Sequence, residues 1–141
     1  MKTITGGCLC GAVKYEAQGE PLFAVYCHCR DCQRASGTGR VPVMGMPKHL
    51  FKTSGATASY TAAAMNGRKS VRHFCPTCGS LLFGTSDAAP DAVSIYVGTL
   101  DDSSVFEPTA VMFTRDRARW DATARDLPEF HTMPQPPTPG R

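Results

Sequence analysis

Short apolar runs and alternations of apolar with polar residues, bounded by glycine or proline, recur along the chain. They are AVKYEA from Ala12, LFAVY from Leu22, SVRHF from Ser70, SLLFG from Ser80, AVSIYV from Ala92 and TAVMFT from Thr109. A period of two puts alternate side chains on one face, so each of these segments reads as a strand. No window keeps apolar residues at i, i+3, i+4 and i+7 for more than two turns; Asp31–Ser36 and Asp116–Arg125 are expected as short helices. The architecture that follows is a mostly antiparallel β domain with little helix.

Length and composition narrow this picture. A chain of 141 residues, 42% hydrophobic and 19% charged, suits one folded domain with a modest core. From Leu127 onward Pro128, Pro134, Pro136, Pro137 and Pro139 crowd together and block both helix and ladder hydrogen bonds. The expected organisation is a domain over 1–130 and a Pro-rich tail over 131–141. Residues 1–11 hold one basic residue and no apolar run of the roughly 7 to 15 residues a secretory signal needs. No stretch approaches the roughly 20 apolar residues of a membrane span. A cytoplasmic protein without a membrane partner is therefore expected. The net charge of +3 is small and scattered, so nucleic acid is not expected as a partner.

Cysteine changes the picture most. There are 7, an odd number that disulfide pairing alone would leave with one thiol over. In a reducing compartment clustered cysteines serve as metal ligands or reactive groups. All of them fall in three clusters: Cys8 and Cys10 in GGCLCGAVKY, Cys27, Cys29 and Cys32 in CHCRDCQRASG, and Cys75 and Cys78 in FCPTCGSLLF. The two-residue spacer of Cys75 and Cys78 lets both sulfurs face one ion, and Gly79 would relieve a turn that needs positive φ. A closed zinc site needs four ligands, so this knuckle must recruit a distant pair. Cys8 and Cys10 are the candidate, because residues i and i+2 of an extended segment project to one face. The middle cluster then offers three thiolates to a second ion and leaves one position open for water or substrate.

Histidine placement allows two readings. His28, between Cys27 and Cys29, would point away from their sulfurs in an extended segment. His73 could face the knuckle's ion or complete the middle site from across the sheet. Both are expected as packed or supporting residues more than as ligands. His49 and His131 have no neighbouring cysteine and are expected at the surface.

In this order the three motifs resemble the family of glutathione-dependent formaldehyde-activating enzymes and centromere protein V. The resemblance runs from about Thr5 to Phe130 and takes in Trp120 and the LPEF segment that begins at Leu127. It implies a mainly β fold, a β-tent of two packed antiparallel sheets with zinc knuckles. It also implies two zinc ions per chain, a structural one on Cys8, Cys10, Cys75 and Cys78 and a second, open and catalytic, on Cys27, Cys29 and Cys32. The implied activity is a carbon–sulfur lyase, condensing glutathione with formaldehyde to S-hydroxymethylglutathione; the partners are a small thiol and a small aldehyde.

The chemistry suits three thiolates around zinc. A free thiol has a pKa of about 8.5, so glutathione thiolate is the scarce species near neutral pH. A metal can bind that thiolate or polarise the aldehyde oxygen. A fourth sulfur would bring the site to a net charge of −2 and blunt nucleophilicity, whereas an oxygen ligand leaves the thiol free to attack. Gln33, Arg34, Ser36 and Gly37 after Cys32 match the family's motif. Arg34 would hold a substrate carboxylate and Gln33 would orient a water or a thiolate, unless both only cap and solvate a short helix. Lys48, Arg68, Lys69 and Arg72 are further candidates for the carboxylates of glutathione.

Two other functions fit the same clusters. One is a non-catalytic zinc-stabilised binding module, with the second site closed by His28, His73 or another internal group. The other is a thiol redox sensor in which Cys27, Cys29 and Cys32 oxidise and release the ion. If seven thiolates hold two divalent ions, the surplus of three positive charges sums to zero, and composition offers no reason to expect anionic partners.

Overall fold

The structure is a computed structural model that describes residues 2–63, 67–122 and 126–134. Among the described residues ten strands form two sheets: β1 (Thr3–Gly7), β2 (Lys14–Gln18), β3 (Phe23–Cys27), β4 (Val41–Pro47), β5 (Phe51–Ser54), β6 (Ala58–Ala63), β7 (Lys69–Phe74), β8 (Leu81–Ser86), β9 (Ala92–Tyr96) and β10 (Ala110–Met112). One sheet has the order β1-β2-β5, the other β10-β3-β4-β9-β8-β7-β6, and the one α-helix among the described residues, α1 (Arg30–Ser36), follows β3. The fold is mainly β, with two packed sheets as expected.

The core lies between the sheets because the alternations face each other. On β2, Tyr15 and Ala17 are buried while Lys14 is exposed; with Val13 they pack on Met44 and Met46 of β4 and Val93 and Ile95 of β9. Tyr15, Phe51 and Phe83 join the sheets as a ring cluster, with centroids 4.9–6.3 Å apart, and the Tyr15 hydroxyl is 2.7 Å from Thr99 Oγ1. Each fully buried aliphatic side chain here contributes about 1.5–3 kcal/mol. The opposite face of the large sheet carries a second, smaller cluster of Val25, Cys27, Val41 and Val43, with Phe23, Cys29, Cys32 and Tyr96 packed against it. β4 is buried on both faces.

Two expectations change. The sheets are not wholly antiparallel: β10 pairs with β3 in parallel, Ala110 opposite Val25. The long 97–109 connection returns the chain to the end from which β9 started, as a parallel pairing requires. Asp116–Arg125 is not a helix where it is described. Turns of 3-10 type cover Thr114–Asp116 and Arg119–Asp121, separated by extended backbone at Arg117 and Ala118; residues 123–125 lie outside the described residues. Extended backbone there lets Asp116 and Asp121 reach α1 and His28 separately, which a continuous helix would not. In the segment expected as a tail, residues 131–134 are exposed and without strand or helix, and 135–141 lie outside the described residues. Among the described residues no helix is long and apolar enough to cross a membrane.

Candidate metal centres

Two hairpins build the first centre. The β1–β2 connection carries Cys8 and Cys10, and the β7–β8 connection carries Cys75 and Cys78. In the second, Cys75 N–H donates to the Ser80 carbonyl (3.0 Å) and Gly79 N–H to the Cys75 carbonyl (2.8 Å), with Gly79 at φ +77°. That left-handed conformation is the one glycine adopts without strain. Cys8 and Cys10 sit in a turn and not in an extended segment, because Gly11, at φ +81°, closes a tight loop in which Cys8 N–H bonds the Val13 carbonyl. Their sulfurs converge all the same.

The four Sγ atoms lie within 4.8 Å of one another, with Cys8 to Cys10 at 3.6 Å and Cys10 to Cys75 at 3.7 Å. A tetrahedron of sulfurs at the usual 2.3 Å from zinc has edges of about 3.8 Å, so these residues fit a closed four-sulfur ion. Backbone and hydroxyl donors already face the sulfurs. Val13 N–H is 3.2 Å from Cys8 Sγ, and the Ser80 hydroxyl is 3.2 Å from Cys78 Sγ. That hydroxyl, with the Ser80 and Cys10 amides, holds the Cys78 thiol down at about 5, in the thiolate form a metal takes.

The second centre forms where a strand becomes a helix. Cys27 ends β3, Cys29 is the N-cap of α1, and Cys32 lies in its first turn, with Cys32 N–H donating to Cys29 Sγ at 3.3 Å. The three sulfurs also lie within 4.8 Å of one another, and among the described residues no fourth histidine, cysteine or acidic donor joins them. Hydrogen bonds from Cys27 and Cys32, with the Arg72 guanidinium nearby, hold the Cys29 thiol far below its ordinary value. The same sharing pushes Cys27 and Cys32 up.

Gln33 is buried, and its amide clasps three elements. Nε2 donates to the His28 carbonyl (2.6 Å) and the Asp116 carbonyl (2.9 Å), while Oε1 accepts from Arg30 (2.6 Å). In this arrangement it fixes the helix that carries Cys32 and does not face outward. Arg34 is exposed on the last turn of α1. Gln33→Ala leaves the two carbonyls without this donor, one beside the cysteines. A loss of about 1–3 kcal/mol is expected, read as a lower urea midpoint with unchanged slope.

His28 is buried, 3.4 Å from Asp121 Oδ2 through Nδ1, and His73 stacks on Phe83 with Nδ1 3.4 Å from Thr57 Oγ1. Neither imidazole joins a sulfur cluster. His49 and His131 are exposed, as are Lys48, Arg68 and Lys69. Arg72 is different: half-buried, with Nη2 3.8 Å from Cys32 Sγ and its charge beside the Tyr96 side chain. The sequence offers Arg72 only as one of four candidate partners for the carboxylates of glutathione, and it does not point to Tyr96 or Asp121. None of these has a spacing to the cysteines that marks it; strand register and the final turns bring them in.

A family model described as glutathione-dependent formaldehyde-activating enzyme matches residues 3–116 of the chain. The match ends before Trp120 and the segment 127–130. A Halomonas elongata protein provisionally named a glutathione-dependent formaldehyde-activating enzyme is 26% identical over 113 residues, which cover 77% of this chain and 72% of that protein. A crystal structure of a Rhodobacter sphaeroides protein shares the fold, with a TM-score of 0.57, 23% identity, and coverage of 76% of this chain and 98% of that one.

Proposed function

The chain belongs to the glutathione-dependent formaldehyde-activating enzyme family, and from that premise we propose that it is a zinc-dependent enzyme of the carbon–sulfur lyase class. It joins the thiol of glutathione, or one like it, to formaldehyde or a comparably small aldehyde. The observation that carries this reading is the three-sulfur cluster of Cys27, Cys29 and Cys32, without a fourth protein donor among the described residues. In it Cys8, Cys10, Cys75 and Cys78 hold a structural ion, and the other three a second.

Zinc on three thiolates supplies Lewis acidity at one open position, where it can acidify a thiol or polarise a carbonyl. Cys27, Cys29 and Cys32 bind, and the Gln33 clasp fixes the helix that orients two of them. Arg34, exposed one turn beyond the cluster, takes a carboxylate of glutathione as a two-pronged partner. In the reaction the sulfur–carbon bond forms as the carbonyl π bond breaks, and the proton lost from sulfur ends on the oxygen, so no oxidant is consumed. A binding module with a closed second site would need His28, His73 or another internal group as a ligand, and among the described residues no histidine, further cysteine or acidic group joins the three sulfurs.

Exchange NMR on formaldehyde and glutathione tests the proposal. Catalytic protein should accelerate formation and breakdown of the adduct well beyond an equimolar zinc control, a comparison that matters because the adduct forms unaided. Acceleration no greater than the control would sink the formaldehyde reaction.

A further inference from the structure

We propose that Arg72 is the positioning residue that makes the Cys27, Cys29 and Cys32 centre accept an anionic sulfur, the thiolate of the incoming thiol, in preference to a neutral oxygen ligand. The inference rests on the open-site reading above and names the ligand class that site takes.

Register places Arg72 of β7 opposite Gly84 of β8, and Gly84 opposite Ser94 of β9, with Tyr96 two residues further along the same face. Gly84 puts no side chain between them, and a Cβ there would meet the Val71 carbonyl oxygen at 2.6 Å. The guanidinium can therefore lie across β8, beside the Tyr96 side chain, and approaches Cys32 Sγ at 3.8 Å. Its Nε is buried and makes no hydrogen bond among the described residues. A cation fixed and half-buried at a thiolate is screened far less than one on the surface.

The charge count gives this cation its effect. Three thiolates and a divalent ion carry −1, and a fourth thiolate raises that to −2; a neutral water or aldehyde oxygen adds nothing. Arg72 offsets the extra charge only in the first case, so it stabilises the thiolate-bound state over the oxygen-bound one. The thiol's proton leaves to solvent on binding. A hydrogen bond to a cysteine sulfur also draws charge from that ligand, which favours another donor at the open position.

The test uses the full chain loaded with Co2+ in place of Zn2+, with cobalt ligand-field and sulfur charge-transfer bands as the readout. It is titrated with glutathione and, separately, with 2-mercaptoethanol, which has no carboxylate. Both thiols should shift the bands of the unaltered protein. Arg72→Gln should weaken both by roughly tenfold while keeping two ions per chain, and Arg72→Lys should retain most of the affinity. Unchanged affinity in Arg72→Gln overturns the proposal, as does a Lys variant as weak as the Gln variant. Weakening confined to glutathione would make Arg72 a carboxylate clamp instead. Loss of the middle ion would make it part of the ion site. No band shift with either thiol in the unaltered protein would sink the open-site reading itself, and this inference with it.

Discussion

Cys75→Ser is expected to leave the chain unfolded at ambient temperature. Cys75 is fully buried, and its side chain belongs both to the sulfur cluster and to the core between the sheets. Structural zinc contributes about 10–16 kcal/mol of apparent binding energy in small zinc domains, while a whole domain is stable by only about 5–15 kcal/mol. Losing most of the first quantity is a change as large as the second. The serine hydroxyl is a poor zinc ligand, and buried without a partner it adds its own desolvation cost. Circular dichroism and metal content check this: strand signal and ions should be lost together, and a strong chelator should do the same to the unaltered protein. A folded Cys75→Ser variant with an unchanged melting temperature would remove the structural role from the first centre.

Cys29→Ser should have the opposite profile, with the fold kept and activity lost by at least about a thousandfold. An ion at the reacting atoms supplies several kcal/mol, and each 1.36 kcal/mol is a factor of ten. The fold survives for two local reasons. Cys29 is only partly buried and sits on the outer face of the large sheet, away from the core between the sheets. It is also the N-cap of α1, where its sulfur accepts the Cys32 N–H, and serine is among the best residues for that position. Melting curves and adduct-exchange rates on the same sample decide the matter. If Cys29→Ser and Cys75→Ser destabilise equally, the division into a structural and an open centre is wrong.

Among the marked segments AVKYEA alternates because only one side of β2 meets the core, with Tyr15 and Ala17 buried and Lys14 exposed. LFAVY and AVSIYV read as short apolar runs because β3 and β9 bury consecutive residues, Ala24 with Val25 and Ala92 with Val93. β4 escaped notice for a physical reason: VPVMGMP is central and buried on both faces, so it has no polar alternation, and it carries two prolines. Its ladder with β9 begins only at Val43, which leaves Pro42 outside that pairing. β5 and β6 leave little trace in the sequence because they lie at sheet edges and are largely exposed, and the apolar residues of β6 are alanines and Tyr60 without a buried face.

The cysteines divide the same way. Spacing alone determined that Cys75 and Cys78, and Cys27, Cys29 and Cys32, can each face one ion, because short spacers keep sulfurs together whatever surrounds them. It also determined the odd count that four plus three ligands absorb. Only tertiary structure decided that Cys10 lies 3.7 Å from Cys75, 65 residues away, and that His28 and His73 stay out of both clusters. It alone placed Arg72 beside Cys32 and Asp121 beside His28. Local chemistry travels with the sequence because it needs only neighbouring residues. Contacts across the sheets depend on register, and a shift of one residue would turn Arg72 to the opposite face.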